Sequence, residues 1–358
     1  SWTERAFIGL METSDPASNI WEDKGFVVCS ASDKGKTDYG RSSINDWEGY
    51  FKINAIDPTY IITENGEHWL IYGSWHSGIA ALQVNPEDGK PLNALGNPWD
   101  ITGEDNSGYG KIIATRGSSR WQASEGPEVI YRDGYYYLFL AYGSLSVEYN
   151  TRVCRSRNID GPYVDIHGNS AMGSAQLYPI LTAPYRFDNS YGWVGISHCG
   201  IFDDGAGNWF YTSQGRFPVN VGGNEYSNAI MMGHVRSIRW DANGWPLVMP
   251  ERYGAVPQAP ITENEIAGDW EHLALTNSTG TQRTSETMTY DLDTHKITSG
   301  SWKNATWTFD AATQTITTSA GVVLYLQREV DWEASPRTHT IVYAAQGNQK
   351  TYWGKKLQ

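Results

Sequence analysis

Val129-Ile130-Tyr131-Arg132-Asp133-Gly134-Tyr135-Tyr136-Tyr137-Leu138-Phe139-Leu140 decides the fold: an apolar run, a turn containing glycine, then an aromatic run. Residues that favour a pleated, half-buried surface on either side of a turn glycine read as a β-hairpin. The same pattern returns upstream from Tyr60-Ile61-Ile62 to Trp69-Leu70-Ile71-Tyr72-Gly73, and downstream from Gly200-Ile201-Phe202 to Trp209-Phe210-Tyr211-Thr212. A further strand is expected after each hairpin, at Ile79–Val84, Arg152–Ser156 and Ala229–Gly233. The turn glycines Gly66, Gly134 and Gly205 recur about every 70 residues, far longer than a hairpin and suited to a large propeller blade with decorated loops. The chain is therefore predicted to be all-β, with a β-propeller in its first part.

Working outward to the front, Phe7-Ile8-Gly9-Leu10-Met11-Glu12-Thr13-Ser14 matches the later strand of a blade with no hairpin before it. From Ser1 to about Gly254 the pattern fills roughly three and a half blades, whereas closed propellers have about four to eight. An open ring leaves strand edges and apolar faces exposed, so a separate N-terminal fragment is the expected partner that completes the propeller.

Toward the other end, the prolines of Gly254-Ala255-Val256-Pro257-Gln258-Ala259-Pro260 break the pattern. Beyond them come short Thr-rich strands: Gly268–Glu271, Glu286–Tyr290, Ala305–Phe309, Gln314–Thr317, Val322–Leu326 and Thr340–Tyr343. Their alternation and close turns predict a small antiparallel barrel or sandwich. The expected organisation is a propeller over residues 1–254, a linker over 255–265 and an accessory domain over 266–358. Bracing the propeller or binding polymer remotely is its simplest role.

Composition narrows the partner. A net charge of −13 with 27 Lys plus Arg excludes a nucleic-acid backbone, which needs a basic face. No apolar run approaches the roughly 18 residues of a membrane span. The 16 Trp and 22 Tyr outnumber the 9 Phe, favouring rings with a polar handle that suit wet, sugar-facing sites. Cys29, Cys154 and Cys199 cannot all pair with one another and show no metal-type spacing, so they read as buried thiols.

The chemistry is carried by two acids that open matching strands, Asp57 in Asn54-Ala55-Ile56-Asp57-Pro58 and Glu125 in Ser124-Glu125-Gly126-Pro127-Glu128. Two carboxylates aimed into one cleft suggest sugar chemistry. An inverting enzyme has one acid protonate the leaving oxygen while a carboxylate about 6.5 to 9.5 Å away activates water. An ionised carboxylate nearby would help its partner keep a proton by like-charge repulsion. Asn54, Ser74 and Trp75 flank the cleft by sequence position, Trp75 as a stacking platform; Trp121 and Trp193 are further platforms and Glu128 is the competing acid.

Together these motifs resemble the arabinanases of glycoside hydrolase family 43. The resemblance rests on Asn54–Pro58, Tyr72-Gly73-Ser74-Trp75-His76-Ser77-Gly78-Ile79, Ser124–Pro127, Gly134–Phe139, Gly195-Ile196-Ser197-His198 and Arg239–Pro246, and extends to Leu324–Trp332 in the accessory domain. It implies a five-bladed propeller, incomplete in this chain, and an inverting mechanism with three carboxylates. Asp57 matches the residue that modulates and positions the acid, and Glu125 matches the general acid. The general base has no counterpart, and Asp15 and Asp23 near the front lie in the wrong context. His198 matches a residue that contacts a hydrated cation, often Ca²⁺. The implied activity is inverting hydrolysis of internal α-1,5-L-arabinofuranosyl linkages in arabinan or arabino-oligosaccharides by a secreted, periplasmic or cell-surface protein. Exo action, an arabinoxylan-active relative and a non-catalytic arabinan-binding propeller are the alternatives.

Overall fold

The structure, a computed structural model, describes residues 6–30, 53–76, 78–93, 109–117, 122–187 and 190–358, without the Cys29 side chain. Trp121 lies outside them. The first strands, β1 (Phe7–Glu12) and β2 (Glu22–Cys29), pair antiparallel. Three four-stranded sheets follow, each with its strands in chain order. The first holds β3 (Thr59–Ile62), β4 (His68–Tyr72), β5 (Ile79–Val84) and β6 (Lys111–Ala114); the second holds β7 (Ser124–Arg132), β8 (Tyr135–Tyr142), β9 (Asn150–Ser156) and β10 (Ile180–Thr182). After the short β11 (Tyr185–Arg186), the third holds β12 (Gly200–Asp203), β13 (Trp209–Arg216), β14 (Met231–Trp240) and β15 (Pro246–Val248). Each is the sheet of a propeller blade.

The three hairpins form where the sequence places them, with Gly66, Gly134 and Gly205 all at positive φ in their turns. One strand differs. The reading put it at Ala229–Gly233, but Ser227–Ala229 is a single 3₁₀ turn and β14 runs to Trp240, paired with β13 from Arg216↔Met231 to Trp209↔Ile238. Its buried residues include His234, Arg236 and Ser237, so polarity hides the strand from a search for alternating apolar residues.

Contacts divide the chain into two compact units, residues 1–141 with 153–177, and residues 142–152 with 178–358. In the first, Leu70, Tyr72, Ala80, Leu82 and Ile112 pack with Val27, Val28, Ile53 and Ala55. Ser30 fastens the loop before Asp57 to β2: its hydroxyl donates to Ile53 O at 2.8 Å and accepts from Ala55 N at 2.7 Å. Apolar packing and two hydrogen bonds thus set the path of Asn54–Pro58.

In the second unit, a one-turn helix α1 (Glu263–Ile266), closed by a Thr262–Glu265 capping box, leads into the C-terminal strands. These are β16 (Gly268–Leu275), β17 (Arg283–Thr284, parallel to β11), β18 (Glu286–Asp291), β19 (Lys296–Ile297), β20 (Trp307–Asp310), β21 (Thr315–Thr318), β22 (Val323–Asp331), β23 (Thr338–Gly347) and β24 (Lys350–Lys356). The eight-stranded sheet runs β19-β18-β16-β24-β23-β22-β21-β20. Its two ends meet, with Ile297 N donating to Ala305 O at 2.8 Å and Trp307 N to His295 O at 2.9 Å. The sheet therefore closes into a barrel, which removes its edges. Trp270, Met288, Tyr290, Trp307, Leu324 and Tyr343 fill the interior. From the outer face, Leu273, Leu275, Val342, Ala344 and Trp353 join Trp193, Ile196, Leu247 and Met249 in one core, so the barrel braces the third blade. Sequence reasoning missed β24, because lysines and a glycine bracket its Tyr352-Trp353 pair.

Two buried histidines make this unit acid-sensitive. Burial, helped by the charges of Arg236 and Arg252, pushes His234 down to about 2. Burial, with Lys350, pushes His272 down to about 3. Unfolded imidazoles take up protons below about pH 6.5 while the folded ones stay neutral, so the unfolded state binds more protons and stability is lost as the pH is lowered. Each histidine is expected to cost about 1.4 kcal/mol per pH unit below 6.5. Denaturant unfolding from pH 7 to 4 checks this: His234→Leu should flatten the slope by one such increment, and an unchanged slope would show that His234 takes up no extra proton on unfolding.

Candidate active site

The chain reaches the candidate site through left-handed backbone at side-chain-bearing residues. Asp57, Trp75 and Ala123 have φ of 54°, 60° and 47°. Such a conformation costs on the order of 1 to 3 kcal/mol per residue, persists only where surroundings enforce it, and concentrates at functional sites. Here the enforcement is visible. Trp75 N donates to Ser124 O at 2.9 Å, and Gln122 N donates to Trp75 O at 2.9 Å, which clamps the segment after β4 to the start of β7. Gly73 N, donating to Ile56 O at 3.1 Å, ties the same segment to the Asp57 loop.

These ties bring four of the expected residues together. The Ser74 hydroxyl and the Trp75 indole N–H both donate to Glu125 Oε2, each at 2.9 Å. The Asp57 carboxylate accepts from Gly126 N at 3.3 Å, next in sequence to Glu125. Ser74 is buried, while Asp57, Trp75 and Glu125 are half-buried, as suits groups lining a cleft. Trp75 was expected only as a platform; its N–H also orients Glu125. That role is invisible in sequence, because the direction of the indole depends on the left-handed turn at its own Cα. Both donors converge on Glu125 rather than Glu128.

Asn54 is buried in the Asp57 loop, where its backbone carbonyl accepts from Ile56 N at 2.9 Å. His198 belongs to the second unit, exposed, at φ 56°, with its Nδ1 3.1 Å from the Tyr149 hydroxyl. Trp193 is buried against Phe217 in a stacked pair, which removes it as a sugar platform. A ring tied at Nδ1 offers a cation one nitrogen, whereas calcium takes six to eight oxygens. Tyr149 and His198 by themselves do not fit calcium. Among the described residues, the acids grouped closely enough to hold a metal are Glu251, Asp331 and Glu333. Lys355 Nζ already lies among them, at 3.2, 3.0 and 2.8 Å, and serves as their cation.

A family profile described as Glycosyl hydrolases family 43 matches residues 12–246, and one described as a C-terminal lipocalin-like domain matches residues 250–354. The chain belongs to glycosyl hydrolases family 43. Over 240 residues, 61% of this chain and 46% of the relative, it is 30% identical to the extracellular endo-α-(1→5)-L-arabinanase 2 of Bacillus subtilis. Against the extracellular endo-α-(1→5)-L-arabinanase of Thermotoga petrophila the identity is 30% over 239 residues, 62% of this chain and 46% of that protein. The chain thus spans about half the length of these curated relatives. The solved endo-1,5-α-L-arabinanase of Thermotoga petrophila superposes with a TM-score of 0.78 at 24% identity, over 98% of this chain and 78% of that one. That likeness establishes the fold, of the five-bladed propeller class with a C-terminal β domain. Among the described residues no helix is long and apolar enough to cross a membrane.

Proposed function

We propose that this chain carries the general acid of an inverting hydrolase that cuts internal α-1,5-L-arabinofuranosyl bonds of arabinan. One observation carries the reading: a carboxylate held through one oxygen by two donors, Ser74 Oγ and Trp75 Nε1, with Asp57 at the neighbouring backbone amide. The two donors orient the carboxyl group of Glu125, which supplies the transferable proton. From there it passes to the glycosidic oxygen as the bond to the anomeric carbon breaks, and water attacks the opposite face with a base removing its proton. Asp57 fixes the acid's backbone by accepting from Gly126 N. No step needs a cation at His198.

The base is proposed to come from a separate N-terminal segment that completes the propeller. Asp15 and Asp23 do not suit the role: Asp15 caps a 3₁₀ turn through Ala17 N at 3.0 Å, and Asp23 accepts from Gly25 N at 2.8 Å. The same observation favours a second reading, a propeller that binds arabinan without cutting it. Adding the N-terminal segment separates the two, since hydrolysis appears with the first and binding alone persists with the second. A polymer substrate and the extracellular relatives support a secreted protein.

Products test the bond and the stereochemistry. Early digests of linear arabinan should hold mixed oligosaccharides whose new reducing ends are first β; one uniform small product would defeat the endo assignment, and first-formed α ends the inverting one. For orientation, Trp75→Phe keeps the ring and deletes the donor. A hydrogen bond to a charged group contributes about 1.5 to 3 kcal/mol, so kcat should fall at least about ten-fold with KM within two-fold. A raised KM at unchanged kcat would assign Trp75 to stacking instead.

A further inference from the structure

A cavity of about 720 Å³ lies in the second unit between the paired ends of β13 and β14, the 256–261 connection and the barrel loop at 311–314. Its volume is within the range of small-ligand sites. It is distinct from the Glu125 cleft, whose residues belong to the first unit. Three features make it a built cavity. Arg239 crosses from the blade to the barrel, donating to the carbonyls of Leu326 and Thr313. Gln314 holds the connection from the barrel side, accepting from Ile261 N at 2.6 Å and donating to Ala311 O at 2.9 Å. Gln258 fixes the other end, donating to Arg328 O at 2.9 Å and accepting from Arg328 N at 3.0 Å.

The lining has the chemistry of a neutral polyol site. Trp209, Trp240 and Tyr253 contribute aromatic surface beside the amides of Asn208 and Gln327 and the Thr313 hydroxyl. Trp209 and Trp240 meet edge to face, 5.5 Å apart at 83°, which spends less ring face than a stacked pair would. Tyr253 is 42% exposed. Among the described residues lining the cavity, Arg239 carries the one charge, and its guanidinium is taken up by carbonyls. In a chain of net charge −13, an uncharged aromatic and amide surface disfavours metal ions and anions alike and suits a ligand with CH faces and hydroxyls.

We propose that this cavity is a second carbohydrate site, which holds a neutral oligosaccharide on residues other than those around Glu125. That the occupant is arabinan rests on the function proposed above; that it is a neutral sugar chain rests on the lining. Affinity electrophoresis in gels holding linear arabinan, or separately xylan, tests both, and reads binding rather than turnover. The parent chain should be retarded by arabinan, and Trp209→Ala should weaken the apparent Kd at least five-fold. Because Trp209→Ala also removes packing, Ala312→Arg, on an exposed rim position, is the second variant: it fills the cavity without emptying a core and should weaken binding equally. Retardation by xylan alone, lost in both variants, would keep the site and remove arabinan as its occupant. Retention unchanged in both variants, or no retention on either polymer, would overturn the proposal.

Discussion

Glu125→Gln is expected to lower turnover of the active protein on arabinan roughly 10²- to 10⁴-fold, the contribution of a positioned general acid. Gln is isosteric with Glu, and its carbonyl can still accept from Ser74 Oγ and Trp75 Nε1, which now meet at Glu125 Oε2. What the amide lacks is the transferable proton. Affinity for arabino-oligosaccharides should therefore stay within about three-fold while kcat collapses, the pattern of an interaction made only in the transition state. Equal losses in binding and turnover would recast Glu125 as a substrate anchor, and unchanged activity would move the acid to Glu128.

The largest expected effect on stability belongs to Lys355. Its ammonium is buried on β24, with Glu251 at 3.2 Å, Asp331 at 3.0 Å, Glu333 at 2.8 Å and Glu271 at 3.6 Å. Burial first, then the charge of Glu333, pushes Glu251 well above the usual carboxylate range. Against the cost of burial, the Glu251 hydrogen bond and Lys355 hold Glu333 below it. Glu251 thus keeps a proton that it shares with Glu333, and Lys355 balances the remaining charge. Removing one partner of a buried charge group costs about 3 to 5 kcal/mol, because the others stay desolvated and unpaired. Lys355→Met should lower unfolding free energy by that amount in denaturant melts at pH 7. Adding Asp331→Asn and Glu333→Gln should recover part of it; a loss under 1 kcal/mol would mean that water reaches the acids.

The hairpins were legible because a glycine turn between aromatic runs is a local signal, and local signals survive in one dimension. The strand β14 was not, since His234, Arg236 and Ser237 are buried by partners elsewhere in the chain and mimic an exposed segment. Asp57 and Glu125 could be singled out because each opens a strand of a repeated unit, and the structure does bring their loops together. The Lys355 cluster left no trace: its acids at 251, 271, 331 and 333 come from a blade end, β16, β22 and the loop beyond it, and only strand pairing within the barrel and its packing on the blade unite them. The indole of Trp75 was legible as a residue but not as a donor, since φ at that position sets where its N–H points.

The dependence of the Glu125→Gln defect on the leaving group tests the central claim most directly. With an arabinotrioside bearing a 2,4-dinitrophenyl group, departure needs no proton, so the variant should come within about ten-fold of the parent while remaining roughly 10²- to 10⁴-fold slower on arabinan. An equal loss on both substrates would contradict the assignment of Glu125 as the group that protonates the leaving oxygen.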